Sequence, residues 1–241
     1  MIVLDGASAY DPATPSADQY VDALLAALVN SLDEPVDLRA VLRDAIATAS
    51  EHLGLTPGGG PSSTVLLLRN TRDWIEVAAL GDSTAVIGLY DGTTERLTDD
   101  RLAGIATDLR VGYRERLRAG GGFDTGHRDK LGELQRAERA YRNATGGYWI
   151  AEADTAAADH AIVRRYRASD VIWWALATDG AQRGIDHHGI AWSDLSRAST
   201  EELAEQLEVL HQWEAQDDPN GEALPRAKRH DDKTLVVGSH P

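Results

Sequence analysis

Cysteine is absent from the 241 residues. That excludes a disulfide framework, a thiolate zinc site and a cysteine nucleophile. No apolar run reaches the roughly 18 residues that a membrane-crossing helix needs. The first ten residues hold no basic stretch and no long apolar one, so no signal peptide is read and the expected location is cytoplasmic. Positive charge is scarce: 24 Lys and Arg stand against 39 Asp and Glu, a net −15. Such a surface repels phosphate backbones and anionic lipid, so neither nucleic acid nor membrane is an expected partner. An anionic substrate would have to be met by a bound cation or a local basic patch. The glycine runs lead into no Gly-Lys-Ser/Thr, which excludes a phosphate loop. There is no internal repeat and no low-complexity linker. At 42% hydrophobic and 26% charged, the chain has the balance of a globular protein and the length for one good-sized core.

What is present is clear hydrophobic patterning. Ile2-Val3-Leu4 reads as the end of a strand that breaks at Asp5-Gly6. Apolar residues at helical spacing predict helices over 16–31 (Leu24, Leu25, Leu28, Leu32) and 37–53 (Leu38, Val41, Leu42, Ala45, Ala49). Gly58-Gly59-Gly60 marks a loop over 56–61. Strands follow over 64–69, 74–80 and 84–90. Asp91-Gly92 turns the chain into another over 94–97, and the set reads as an antiparallel meander. A helical stretch over 101–142 is broken at Gly120-Gly121-Gly122. Strands return over 148–150, 161–166 and 171–178. Helices follow over 192–198 and 200–216, then a last strand over 234–238. Strands come in blocks and so do helices, which predicts an α+β chain with antiparallel sheets rather than alternating βαβ units.

Acidic residues recur where apolar strands meet turns. Asp5 follows Ile-Val-Leu; Asp100 closes the turn after Leu97; Asp179 follows Trp173 to Thr178; Asp231 and Asp232 precede Lys233 to Val237. Carboxylates brought to one sheet edge repel one another and lose solvation. A hard divalent cation such as Mg²⁺ or Mn²⁺ relieves both. The plainer reading of each aspartate is a turn cap.

Taken in order, Asp5-Gly6, Gly81-Asp82-Ser83, Leu97-Thr98 with Asp100, Thr178-Asp179-Gly180 and Asp231-Asp232-Lys233-Thr234 resemble the metal-dependent protein phosphatases of the 2C type. The stretches Pro61 to Thr64, Thr98 to Leu102 and Arg142 to Gly147 look like bacterial members. The resemblance runs from Ile2 to Gly238. It implies a four-layer α-β-β-α sandwich of two antiparallel sheets, one domain over 1–241, with a helical flap-like insertion at about 101–146. It implies hydrolysis of phosphoserine and phosphothreonine in proteins by a metal-activated water, with no covalent nucleophile. The implied cofactors are two Mn²⁺ or Mg²⁺ ions, with a third held more weakly. Asp5 would bridge the pair, with the Gly6 carbonyl on one ion. Asp179 and Asp231 would hold the second, and Asp100 with Asp179 the third. Asp82 matches a structural position and is not assigned to metal.

The pattern also departs from the family. Relatives carry a strand upstream of Asp5 with a further acidic residue, and often a phosphate-binding arginine, for which the sequence before Asp5 has no room. Ala7 stands where many members place a histidine. The expectation is therefore either a start placed too late or a shortened site, with a pseudophosphatase serving as a binding module as the alternative function. Residues 110–142 carry nine basic and five acidic side chains, a local +4. They read as a basic flap facing a phosphorylated protein, or as a solvated helix pair with i,i+4 ion pairs such as Glu138 with Arg142. Arg226, Lys228, Arg229 and His230 are expected to touch phosphate or to offset the aspartates. Gly81-Asp82-Ser83 also matches the motif of serine esterases, for which the sole Asp-x-x-His, Asp124 to His127, lies mid-chain. His187-His188 reads as a polar loop, and Trp173-Trp174 as core.

Overall fold

The computed structural model describes residues 1–7 and 13–239. The chain opens with β1 (Ile2–Ala7), then α1 (Ala17–Ser31) and α2 (Leu38–Leu53). Both helices begin where local chemistry dictates. Ser16 and Gln19 form a reciprocal capping box, and the Asp37 carboxylate accepts from the Arg39 N–H. Next come β2 (Ser62–Asn70), β3 (Trp74–Leu80), β4 (Thr84–Leu89) and β5 (Thr94–Leu97). A single 3₁₀ turn, Arg101–Gly104, precedes α3 (Thr107–Arg118) and α4 (Thr125–Arg139). The remainder is β6 (Ile162–Arg167), β7 (Val171–Ala177), α5 (Asp179–His187), α6 (Trp192–Leu195), α7 (Thr200–Gln216) and β8 (Leu235–Ser239), with short 3₁₀ turns on either side of β6.

Two four-stranded antiparallel sheets result, ordered β1-β2-β3-β6 and β5-β4-β7-β8. The expected meander is therefore divided. The β2–β3 hairpin belongs to one sheet and the β4–β5 hairpin to the other. The chain changes sheets at Gly81-Asp82-Ser83, where Gly81 takes φ +86° and a Cβ would lie 2.9 Å from Thr64 Cγ2. Only glycine fits that corner without strain.

Alternation along the strands sorts side chains into layers. Val65, Leu67, Ala78 and Leu80 pack under α1 and α2 with Tyr20, Leu24, Leu28, Leu42 and Ile46. Val3, Leu66, Leu68, Val77, Ala85, Ile87, Trp174 and Leu176 fill the space between the sheets. Ala177 packs outward against Ala181, Ile185, Leu195 and Leu210 of α5 to α7. The expected α-β-β-α sandwich is observed, and Trp174 is core. Helices α3 and α4 pack on each other through Tyr113, Leu117 and Leu134.

Three local expectations change. Residues 148–150 form no strand: Tyr148 makes a lone bridge to Arg142 and Ala151 another to Ser63. α6 closes at Leu195, short of 198. α5 occupies a stretch where no helix was expected, and it carries His187 in its last turn. No helix among the described residues is long and apolar enough to cross a membrane.

Candidate metal centre

Four aspartates meet at one end of the sandwich. Asp5 lies opposite Thr64 in the β1–β2 ladder. Val3, two residues earlier, faces the core between the sheets, so Asp5 shares that face at its rim. Thr64 Oγ1 is 2.6 Å from Ser83 Oγ, and both residues are buried. That contact joins the first sheet to the corner carrying Asp82. Thr84, just beyond it, pairs with Ala177 at the end of β7. Asp179 opens α5 two residues later.

The last aspartate arrives through backbone bonds. Thr178 N–H donates to Thr234 O at 3.1 Å, and Thr234 N–H donates to Thr178 Oγ1 at 3.0 Å. The segment before β8 is thereby laid across Gly180, where a Cβ would be 2.3 Å from Asp232 O and 3.1 Å from Asp231 Cβ. The close approach that sets Asp231 beside Asp179 requires glycine at 180.

Electrostatics ties the four together. Burial, then Asp179, Asp231 and Asp82, push the Asp5 carboxyl up to about 7, while Lys228 pulls it down. Burial, Asp82 and Asp231 push Asp179 up to about 6, against Arg183 and the Gly180 N–H. Asp82 is raised too, by burial first, with Arg110 and Arg183 opposing and Asp99 adding to it. Two cations sit at the rim: Lys228 Nζ is 3.1 Å from Asp231 Oδ1, and Arg183 Nη1 is 3.9 Å from Asp179 Oδ2. None of the four belongs to a trio of ligand atoms all within 4.8 Å of one another among the described residues. No three of them are spaced to share one ion's inner shell. Oxygen-only donors, mutual repulsion and raised proton affinity fit hard divalent cations, which take carboxylates and keep several waters.

Of the sequence-derived residues, the structure brings Asp5, Asp179 and Asp231 together. Gly6 follows Asp5 on the exposed end of β1, opposite Ser63. Asp100 is exposed at the start of the 3₁₀ turn and makes no side-chain cap bond. It is not among the carboxylates that raise Asp5 or Asp179. Its neighbour Asp99 is buried and bound by Arg101. Asp82, read from sequence as structural, stands in the acidic group. The signal was available, since Asp82 also follows an apolar strand and a turn glycine.

The basic residues resolve differently from expectation. Glu138 pairs with Arg110 across α3 and α4, not with Arg142. Arg142 instead donates to Gly60 O at 3.3 Å and Arg139 to Gly58 O at 3.1 Å. Arg226 is buried, bonded to Asp218 at 2.6 Å and to the carbonyls of Asp218, Glu214, Leu224 and Arg229. It ties the loop before β8 rather than facing the cluster. Lys228 is the member of that run that offsets the aspartates. The esterase reading loses its geometry. Ser83 is bonded to Thr64, whereas Asp124 caps α4 and His127 Nε2 lies 2.8 Å from Ala227 O.

No family model and no curated protein matches the chain by sequence. Solved structures do match by shape. The catalytic domain of the serine/threonine protein phosphatase PstP in complex with two manganese ions superposes with a TM-score of 0.50 at 17% identity, over 98% of this chain and 85% of that one. Stp1, a serine/threonine phosphatase from Staphylococcus aureus, gives 0.52 at 14%, over 99% and 82%. The serine-threonine phosphatase 2C from Toxoplasma gondii gives 0.51 at 16%, over 98% and 82%. Two antiparallel sheets between helix layers, with these neighbours, give the chain the fold of the protein phosphatase 2C type.

Proposed function

We propose that this chain is a Mn²⁺- or Mg²⁺-dependent phosphatase acting on phosphoserine and phosphothreonine in proteins. The observation that carries the reading is the convergence of Asp5, Asp179 and Asp231, with Asp82 behind them, at one end of the sandwich. Asp5, the Gly6 carbonyl, Asp179 and Asp231 would hold two ions. Asp100, on the outer turn, enters only as a ligand of a third, looser ion. Bound there, a divalent pair supplies charge against phosphoryl oxygens and acidifies water. The chain's own part is to hold fixed anions in a rim too crowded to stay fully ionised without a counter-charge. Lys228 and Arg183 offset only some of that charge. The helical segment at about 101–146 is read as the flap beside the site. Glu138 and Arg110 connect it to the centre, since each interacts with Asp82.

The test is turnover of an aryl phosphate and of a phosphothreonine peptide with Mn²⁺. EDTA and Asp179→Asn should each abolish it, and activity surviving EDTA overturns the reading. Ala7, exposed and unable to carry a proton, favours a second reading: a pseudophosphatase that binds the ions and a phosphoprotein without turnover. Mn²⁺ binding with no hydrolysis selects it.

A further inference from the structure

A second metal-competent group lies beside the acidic cluster and differs from it in chemistry. His211, Glu214 and His230 each offer one ligand atom, and these atoms all fall within 4.8 Å of one another. His211 and Glu214 are three residues apart on α7, so they share a helix face. His230 comes from the segment that carries Asp231. The two imidazole rings lie 4.3 Å apart at 34°. His230 Nδ1 is 3.5 Å from Glu214 Oε2. That nitrogen is buried and has no hydrogen-bond partner, and Glu214 is itself buried. A buried nitrogen left unpaired beside a carboxylate is costly and calls for a partner.

We propose that His211, Glu214 and His230 form a site for Zn²⁺, or another divalent transition ion that favours imidazole, separate from the aspartate centre. Two nitrogens and one carboxylate oxygen suit such an ion and suit Mg²⁺ poorly. Three protein ligands leave a fourth position open to water. Lys233 Nζ sits 2.7 Å from Glu214 Oε2 and 3.1 Å from Asp231 O. In the metal-free chain this ammonium neutralises Glu214. Oε2 is also the oxygen that faces His230 Nδ1, so an incoming ion shares it with Lys233 or displaces the ammonium. Either way the ion cross-links α7 to the segment before β8. Its occupancy bears on how firmly Asp231 is held, because His230 is the adjacent residue. The assignment does not depend on the phosphatase reading.

Calorimetric titration of the full chain with Zn²⁺, in excess Mg²⁺ to saturate the aspartates, tests this. One equivalent should bind, with a rise in melting temperature. His211→Ala removes an exposed ligand without disturbing the core, and should weaken Zn²⁺ at least about tenfold and erase the thermal shift. His230→Ala should do the same. Asp5→Asn should leave Zn²⁺ affinity unchanged. The proposal is overturned if no Zn²⁺ binds, if His211→Ala binds as tightly as the parent, or if Asp5→Asn abolishes binding, which would put the ion among the aspartates.

Discussion

Replacing Asp5 by asparagine should stabilise the metal-free chain while removing its response to divalent ions. In the fold, burial and three aspartates raise the Asp5 carboxyl from 3.8 to about 7. A carboxyl whose pKa is raised by folding binds more protons folded than unfolded between those two values. Stability of the metal-free chain therefore falls as pH climbs from about 4 to about 7 and levels off above. The full penalty for a gap of about three units is about 4 kcal/mol, at 1.36 kcal/mol each. Asp5 is only partly buried, and solvent screening brings this down to about 2 kcal/mol. Asparagine keeps the shape and carries no charge, so at pH 8 it should recover that amount. For a chain of this size the gain is about 4–8 °C in melting temperature. At pH 4 the parent carboxyl is already protonated, and the gain should shrink to a few tenths of a kcal/mol. Thermal melts of parent and variant in EDTA at pH 4, 6 and 8 measure this. With Mn²⁺ added, the parent should gain stability at pH 8 and the variant little. A variant no more stable than the parent at pH 8, or a gain that persists undiminished at pH 4, refutes the crowded-carboxylate account.

Other consequences follow from the same geometry. Asp82→Asn removes a charge that repels both Asp5 and Asp179, so both carboxyl midpoints should fall in a carbon-detected NMR titration; unmoved midpoints would place Asp82 outside the group. Arg226→Ala strands the buried Asp218 carboxylate and should cost about 3–5 kcal/mol in urea unfolding, and a loss below about 1 kcal/mol would mean the loop before β8 is held by other contacts. Gly88→Ala would set a Cβ 2.1 Å from the Trp173 ring. It should cost at least about 1–3 kcal/mol with a changed tryptophan emission, and a neutral substitution would show that β4 and β7 pack less closely than described.

The sequence by itself determined the elements whose signals are local. α1, α2 and α7 carry a repeating apolar stripe, and Ser16, Asp37 and Ser199 cap them through hydrogen bonds made within three residues. β3 and β5 begin and end as their patterns say. The order of aspartates at strand ends was also legible, because each falls between an apolar run and a turn. Tertiary structure alone decided how the strands divide into two sheets, since Gly81 marks a turn in the sequence but not which sheet β4 joins. It decided α5, whose nine residues include Gly180 and Gly184 and have little helical preference of their own. That helix is set by Gly184 lying against Leu210 of α7 and by the loop crossing Gly180. It also decided that Asp82 stands with Asp5 and Asp179, and that Arg226 turns inward to Asp218 while Lys228 meets Asp231. The aspartate group depends on distances across the fold between residues far apart in the chain, and spacing along the sequence does not encode them; for the near neighbours Arg226 and Lys228, burial in the fold rather than spacing chooses the partner.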